Sequence, residues 1–227
     1  MKTTSTDGRG EGRRDDSSPR SGRPTKAAAA QRDERLLEIA TDMFLKHGFD
    51  GTSMERLAEA AMIGKATLYA RYADKGQLFA DVLRRRILTI YAPIEAEFAK
   101  GLSGKSLEET LTILALRFID SSLSPASIAL LRILTAQSER FPELGKLAVE
   151  EGTNRKIRLV EGILTRFSAG RRFAIDDMAL AADLFLGIVL GRVSRIALLG
   201  VQMDPEALDR QTREAVRIFV RGLVKDD

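Results

Sequence analysis

The stretch Thr52–Lys75, TSMERLAEAAMIGKATLYARYADK, reads as two short helices broken by a tight turn, and that reading decides the fold. In the second helix, from Lys65 to about Tyr72, a rotation of 100° per residue puts Leu68 and Tyr72 close together on one face. They are expected to point inward, with Ile63 from the turn. The opposite face carries Ala66 and Ala70 at its centre, flanked by Thr67 and Arg71 on one side and Tyr69 on the other. A small-residue centre lets a helix backbone come close to base edges. Arg pairs bidentately with guanine, while Ala and the Thr methyl suit thymine methyl groups. Lys65, Tyr69, Lys75 and the amide-rich start at Ser53 are placed for phosphates, which fix register without reading sequence.

Such a pair of helices needs a third to cover its apolar side. From Arg32 to His47, Leu36, Ile39, Ala40, Met43 and Phe44 follow the spacing of one helix face, and Gly48 ends that helix where the chain must turn left-handed. Phe49 to Thr52 form a loop, and Ser53 is the expected cap for the orphan amides that open the next helix. Glu55 suits the positive end of that helix. Its stripe of Met54, Leu57, Ala58 and Ala61 lies on the first helix.

Gly48-Phe49, Thr52-Ser53-Met54, Leu57-Ala58, Ala61, Ile63, Lys65, Thr67-Leu68-Tyr69, Tyr72, Lys75 and Leu78-Phe79 together resemble the N-terminal DNA-binding domain of TetR-type transcriptional regulators. The motif match covers residues 32 to 83; beyond it only helical character and length agree. The resemblance implies an all-helical homodimer that binds a palindromic operator, usually as a repressor, and lets go when a small molecule enters the C-terminal domain. It places DNA contacts at Thr52 and Ser53, at Lys65, Ala66, Thr67, Tyr69 and Arg71, and at Lys75. Three positions depart from the family pattern: Met62 for a turn glycine, Gly64 for a capping serine, and Ala66 for a glycine. A side chain at Met62 in a left-handed conformation costs on the order of 1 kcal/mol, and Gly64 is expected to supply compensating flexibility.

The 227 residues, 44% hydrophobic, suffice for a sizeable core. With no cysteine and one histidine, neither a disulfide framework nor a thiolate or histidine-rich metal site is available, and no cofactor is expected. His47, at a helix end, suits a dipole or capping role better than a proton shuttle. The opening MKTTSTDGRG has no apolar core of signal-peptide length, and no uncharged run approaches the roughly 18 residues that span a bilayer, so the cytoplasm is the expected compartment. Residues 1–26 hold seven Lys or Arg against four acids and are rich in Gly, Ser, Thr and Pro. They read as a disordered basic tail whose Arg20, Arg23 and Lys26 are candidate phosphate or minor-groove contacts. Residues 27–74 then form the DNA-binding domain and 75–227 a helical ligand-binding and dimerisation domain.

Asp74-Lys75-Gly76-Gln77 is an acidic variant of the capping box, opening a helix with Leu78, Phe79, Val82, Leu83, Ile87, Ile90 and Tyr91 on one face. Pro93 is expected to bend it or end its regular part. This helix joins the two domains and is the natural lever between them; its Arg84-Arg85-Arg86 triplet reads as a solvated face. After a break at Gly101–Gly104, helices are expected at about 106–121, 125–140, 142–168, 176–199 and 205–225, for about nine in an all-α chain. Ala126 to Ala136 has Arg132 as its only charge, so that helix should be buried on most sides and line any internal pocket. Arg117 and Arg132 are candidates for an acidic effector, although pairing with a carboxylate such as Asp120 is favoured. Leu180, Leu184, Gly187 and Gly191, with Phe219 from the final helix, form the expected dimer interface of four helices.

The preferred reading is an effector-controlled DNA-binding regulator acting as a homodimer. An architectural protein that coats DNA without an effector is the first alternative. A helical-bundle enzyme is the weaker one, because no carboxylates are paired with histidine as a di-metal bundle needs.

Overall fold

The computed structural model describes residues 26–100, 104–169 and 175–223. These form α1 (Lys26–His47), α2 (Met54–Ala61), α3 (Lys65–Arg71), α4 (Lys75–Ala99), α5 (Leu107–Leu123), α6 (Pro125–Gln137), α7 (Pro142–Leu147), a π turn (Ala148–Thr153), α8 (Asn154–Ser168), α9 (Met178–Leu198) and α10 (Pro205–Leu223), with no strand among the described residues. The junction residues on either side of the π turn keep right-handed helical angles, so α7, the π turn and α8 run as one rod and the described rods number nine. No single described helix is long and apolar enough to cross a membrane.

Two apolar clusters organise the chain. The first contains Leu36, Ala40 and Phe44 of α1, Leu57 of α2, Leu68 and Tyr72, and Leu78, Phe79 and Val82 of α4. It also takes in Leu130 and Leu134 of α6 and Leu144 and Leu147 of α7, so its core reaches well past residue 74. Phe44, Phe49 and Phe79 pack with centroids 5.0–5.8 Å apart, and Phe141, from the α6–α7 corner, adds a fourth ring 5.5 Å from Phe49. That corner comes so close to the start of α4 that a Cβ at Gly76 would stand 2.9 Å from the Phe141 ring. The second cluster joins the far half of α4 (Tyr91, Ile94, Phe98) to α5, α8, α9 and α10. Ile87 packs against both, which makes α4 one continuous beam between them.

Pro93 does not end α4, which continues to Ala99 because Tyr91, Ile94 and Phe98 are buried on either side of the proline. The α6 helix is less buried than its composition suggests: only Leu130 and Leu134 are fully covered. Asp74 caps α4 by accepting from the Gln77 amide (2.9 Å), while the Gln77 side chain accepts from Ala73 (3.1 Å), one residue earlier than in a true capping box.

The turn between α2 and α3 closes as the departures from the family pattern require. Met62 is left-handed (φ 54°, ψ 43°), its amide reaching Glu59 and the Ile63 amide reaching Ala58, the paired bonds of a Schellman motif. Gly64 gives no compensating freedom, since φ −64°, ψ 139° is open to any residue. Met62 is 73% exposed, so its side chain returns little packing for that strain. Met62→Gly should therefore stabilise the fold by about 1 kcal/mol, a rise of roughly 2–4 °C in the thermal midpoint. An unchanged or lower midpoint in a calorimetric scan would place useful contacts at Met62.

Candidate nucleic-acid interface and ligand cavity

In α3 the two inward anchors are as the spacing requires: Leu68 is 1% and Tyr72 3% exposed. Lys65, Ala66, Thr67, Tyr69, Ala70 and Arg71 are all exposed, so one side of this helix is left uncovered by the other described residues. The Tyr72 hydroxyl donates to Asp81 of α4 (3.0 Å); burial, followed by the Asp81 carboxylate, pushes its pKa up to about 12 and keeps it a neutral donor. Tyr69 donates to Glu55 (2.9 Å), bracing α3 on α2 while leaving its ring at the surface. Arg71 is drawn to Asp33 of α1 in an ion pair and lies over the Tyr72 ring at 5.3 Å, so its guanidinium rests against α1 instead of standing free above the reading face.

Two expected contacts take different places. The Thr52 side chain is buried, with its hydroxyl donating to the carbonyls of Gly48 (2.8 Å) and Met43 (3.2 Å); it ties the end of α1 to the loop and offers nothing outward. Ser53 caps α2 by accepting from the Arg56 amide at 3.2 Å and stays partly exposed. The Lys75 ammonium donates to the carbonyls of Phe49 (2.5 Å) and Thr52 (2.8 Å) and sits 4.5 Å from the Phe49 ring centroid. Burial lowers its pKa, and with two of its three donors engaged it is first a clamp on the α1–α2 loop. Arg20 and Arg23 lie outside the described residues, as does the Lys26 side chain.

Of the triplet Arg84-Arg85-Arg86 only Arg84 is exposed as a solvated face requires, and all three are engaged by other groups. Arg84 joins Asp81 and Glu151 of the π turn, each at 2.9 Å. Arg85 binds the Glu34 carbonyl (3.0 Å) and Glu38 (2.8 Å) on α1. Arg86 turns into a partly open cavity of about 210 Å³ lined by α4, α5, α6, the π turn, α8 and α9. Its walls are largely apolar, with Ile87, Ile90, Tyr91, Leu130, Leu131 and Leu134 prominent. The sequence signal for Arg86 was its spacing: it lies i+3 from Leu83 and i−4 from Ile90, on the inward stripe of α4.

The two arginines expected at an effector are engaged elsewhere. Arg117 pairs with Glu97 of α4 at 3.7 Å, not with Asp120, and is exposed. Arg132 caps the end of α9, donating to the carbonyls of Ala197 and Leu198 at 3.1 Å each. Phe219 is also displaced from its expected role, because it packs inside the monomer 5.1 Å from Phe185. Leu180, Leu184 and Ile188 of α9 and Ile218 of α10 are exposed instead, and a Cβ at Gly187 or Gly191 would meet nothing within 4 Å.

A three-helix unit with an open third helix, joined by one long helix to a second helical bundle that contains a cavity, defines a fold of the helix-turn-helix class. The chain belongs to the TetR family: residues 36–82 match the model for bacterial regulatory proteins of the tetR family, and residues 109–222 match the C-terminal domain of AefR-like transcriptional repressors. It is 34% identical over 76 residues to the HTH-type transcriptional repressor SCO4008 of Streptomyces coelicolor, a match covering 33% of this chain and 40% of that protein. It is 30% identical over 138 residues to the HTH-type transcriptional repressor KstR2 of Rhodococcus jostii, covering 60% and 63%. The chain thus matches less than two thirds of the length of these two relatives. Among solved structures, a TetR-family transcriptional regulator from Mesorhizobium loti is similar at a TM-score of 0.79 and 26% identity, covering 87% of this chain and 98% of that one. The flavonoid-responsive regulator FrrA is similar at 0.69 and 27%, covering 87% and 100%.

Proposed function

We propose that this chain is a transcriptional repressor that binds a palindromic operator as a homodimer and releases it when a small molecule occupies the cavity. The observation that carries the reading is the exposed side of α3, held by buried Leu68 and Tyr72 on a helix-turn-helix frame. Ala66, Thr67 and Ala70 let its backbone approach base edges. Lys65, Tyr69 and the exposed amide end of α2 at Ser53 face phosphates. Arg71 reaches a base by exchanging Asp33 for it, and Lys75 keeps one donor for the backbone after clamping the loop. Arg20, Arg23 and Lys26 extend the contact as a basic arm. One reading head covers too few base pairs for useful specificity, and two-fold dimers match palindromes.

Release needs a ligand that favours one arrangement of α4 over another. Three features couple the cavity to α3 through that helix. Leu130 and Leu134 of α6 line the cavity and belong to the DNA-binding domain's core. Phe141 presses on the start of α4 at Gly76. The chain Tyr72–Asp81–Arg84–Glu151 runs from the end of α3 to the π turn, whose Ala148, Gly152 and Thr153 are cavity walls.

Selecting bound duplexes from a random pool tests the proposal. Two inverted half-sites should be enriched, and binding to them should survive excess unrelated duplex. Recovery of unselected sequence, with affinity that vanishes against competitor, would favour the coating reading instead.

A further inference from the structure

The charge inside the cavity is unbalanced. Arg84 and Arg85 each have carboxylate partners, but among the described residues Arg86 has only hydroxyls: its Nη2 donates to Ser124 (2.9 Å) and Ser127 (3.2 Å). Its Nε is the only buried side-chain nitrogen or oxygen without a hydrogen-bond partner among the described residues. Lys156 enters from α8, with its Nζ 5.6 Å from the Tyr91 ring centroid. No Asp or Glu is among the wall residues; the remaining polar ones are Ser121, Ser122, Ser127, Thr153 and Ser194.

A guanidinium does not shed its proton, so desolvation cannot be relieved by neutralising it. The two serines hold it in place without cancelling its charge, and such a group gains most from an anion that offers oxygen acceptors to its fork. The rest of the cavity rewards apolar surface. An engineered cavity of roughly 150 Å³ in another protein takes benzene, so about 210 Å³ has room for one ring and a short acidic arm.

We infer that the cavity binds an organic carboxylate, an aryl or alkyl body against Ile90, Tyr91 and Leu134 with its carboxylate on Arg86 and Lys156. This rests on the proposed function only in treating the cavity as the effector site. It adds the chemical class of the effector and the residue that selects it. Because Arg86 follows directly on Arg84, tied to the π turn, and Arg85, tied to α1, a ligand that draws on Arg86 acts on the segment of α4 that holds the DNA-binding domain.

The test uses the full chain with 3-phenylpropionate and its uncharged match, 3-phenylpropanamide, by titration calorimetry and by release of the selected duplex. The carboxylate should bind at least tenfold more tightly than the amide. Arg86→Gln should shrink that preference, and Arg86→Gln combined with Lys156→Gln should erase it, without shifting the thermal midpoint of the ligand-free protein, while Arg117→Gln, outside the cavity, should preserve it. If Arg86→Gln proves unstable, Arg86→Met supplies the same comparison with an apolar side chain. Equal binding of the two compounds, a preference undiminished without Arg86, or no binding of either at millimolar concentration overturns the inference. If the amide binds and releases DNA as well as the acid, the anion inference fails while the effector reading stands. A carboxylate that binds through Arg86 without releasing DNA supports the anion site and refutes the effector reading.

Discussion

Gly187→Leu should convert the protein from a dimer to a monomer and weaken operator binding at least a hundredfold, on the order of 3 kcal/mol. Glycine in a helix interior costs about 1 kcal/mol relative to alanine. Among the described residues nothing in the monomer offsets that at Gly187 or Gly191, where an added Cβ meets no neighbour within 4 Å. Around them Leu180, Leu184 and Ile188 are each about half exposed, an apolar strip that a soluble helix gains nothing by showing to water. Both facts are explained if the α9 helices of two subunits cross there, with the glycines letting their backbones approach. A leucine at position 187 leaves the monomer's own packing untouched and improves its helix propensity, so a loss of dimer cannot be blamed on misfolding. Sedimentation and duplex titration together check this. An unchanged mass with undiminished affinity would move the interface elsewhere.

Ala66→Asp should abolish specific binding while leaving the protein at least as stable. Ala66 is the second residue of α3, after the Gly64 cap and Lys65, and its side chain is exposed. A carboxylate near a helix N-terminus interacts favourably with the dipole. The same carboxylate turned toward phosphates and base edges meets like charge, which costs several kcal/mol across an interface. Affinity for the selected duplex should fall more than a hundredfold, with a thermal midpoint unchanged or raised. Retained affinity would mean that this side of α3 does not approach DNA.

The inward anchors Leu68 and Tyr72, the left-handed Met62 and the caps at Ser53 and Asp74 were all legible, because each follows from local geometry. What escaped depends on which neighbour a side chain meets. Thr52 and Lys75 sit where a DNA contact is expected, yet Thr52 is turned to the Gly48 carbonyl and Lys75 to those of Phe49 and Thr52, because the loop between α1 and α2 needs donors. Phe219 lies on the only apolar stripe of α10, and such a stripe looks the same whether it closes a monomer or joins two. On α9 apolar residues surround the helix, and there the glycines, which pack against nothing internal, separate the inner face from the outer. The arginine triplet shows the same limit: three identical neighbours on α4 point to the π turn, to α1 and into the cavity, because successive residues are 100° apart.

The claim on which everything else depends is that the exposed side of α3 enters a groove of DNA. The chain has no cysteine, so Ala66→Cys introduces a single thiol at the centre of that side, and Glu206→Cys a control on a distant exposed helix start. Each variant would be bound to its selected duplex carrying a thiol-tethered base at successive positions of one half-site. Disulfide capture from position 66 at a narrow set of bases, with none from position 206, is the result expected here. A duplex that remains tightly bound but is never captured from position 66 would contradict it.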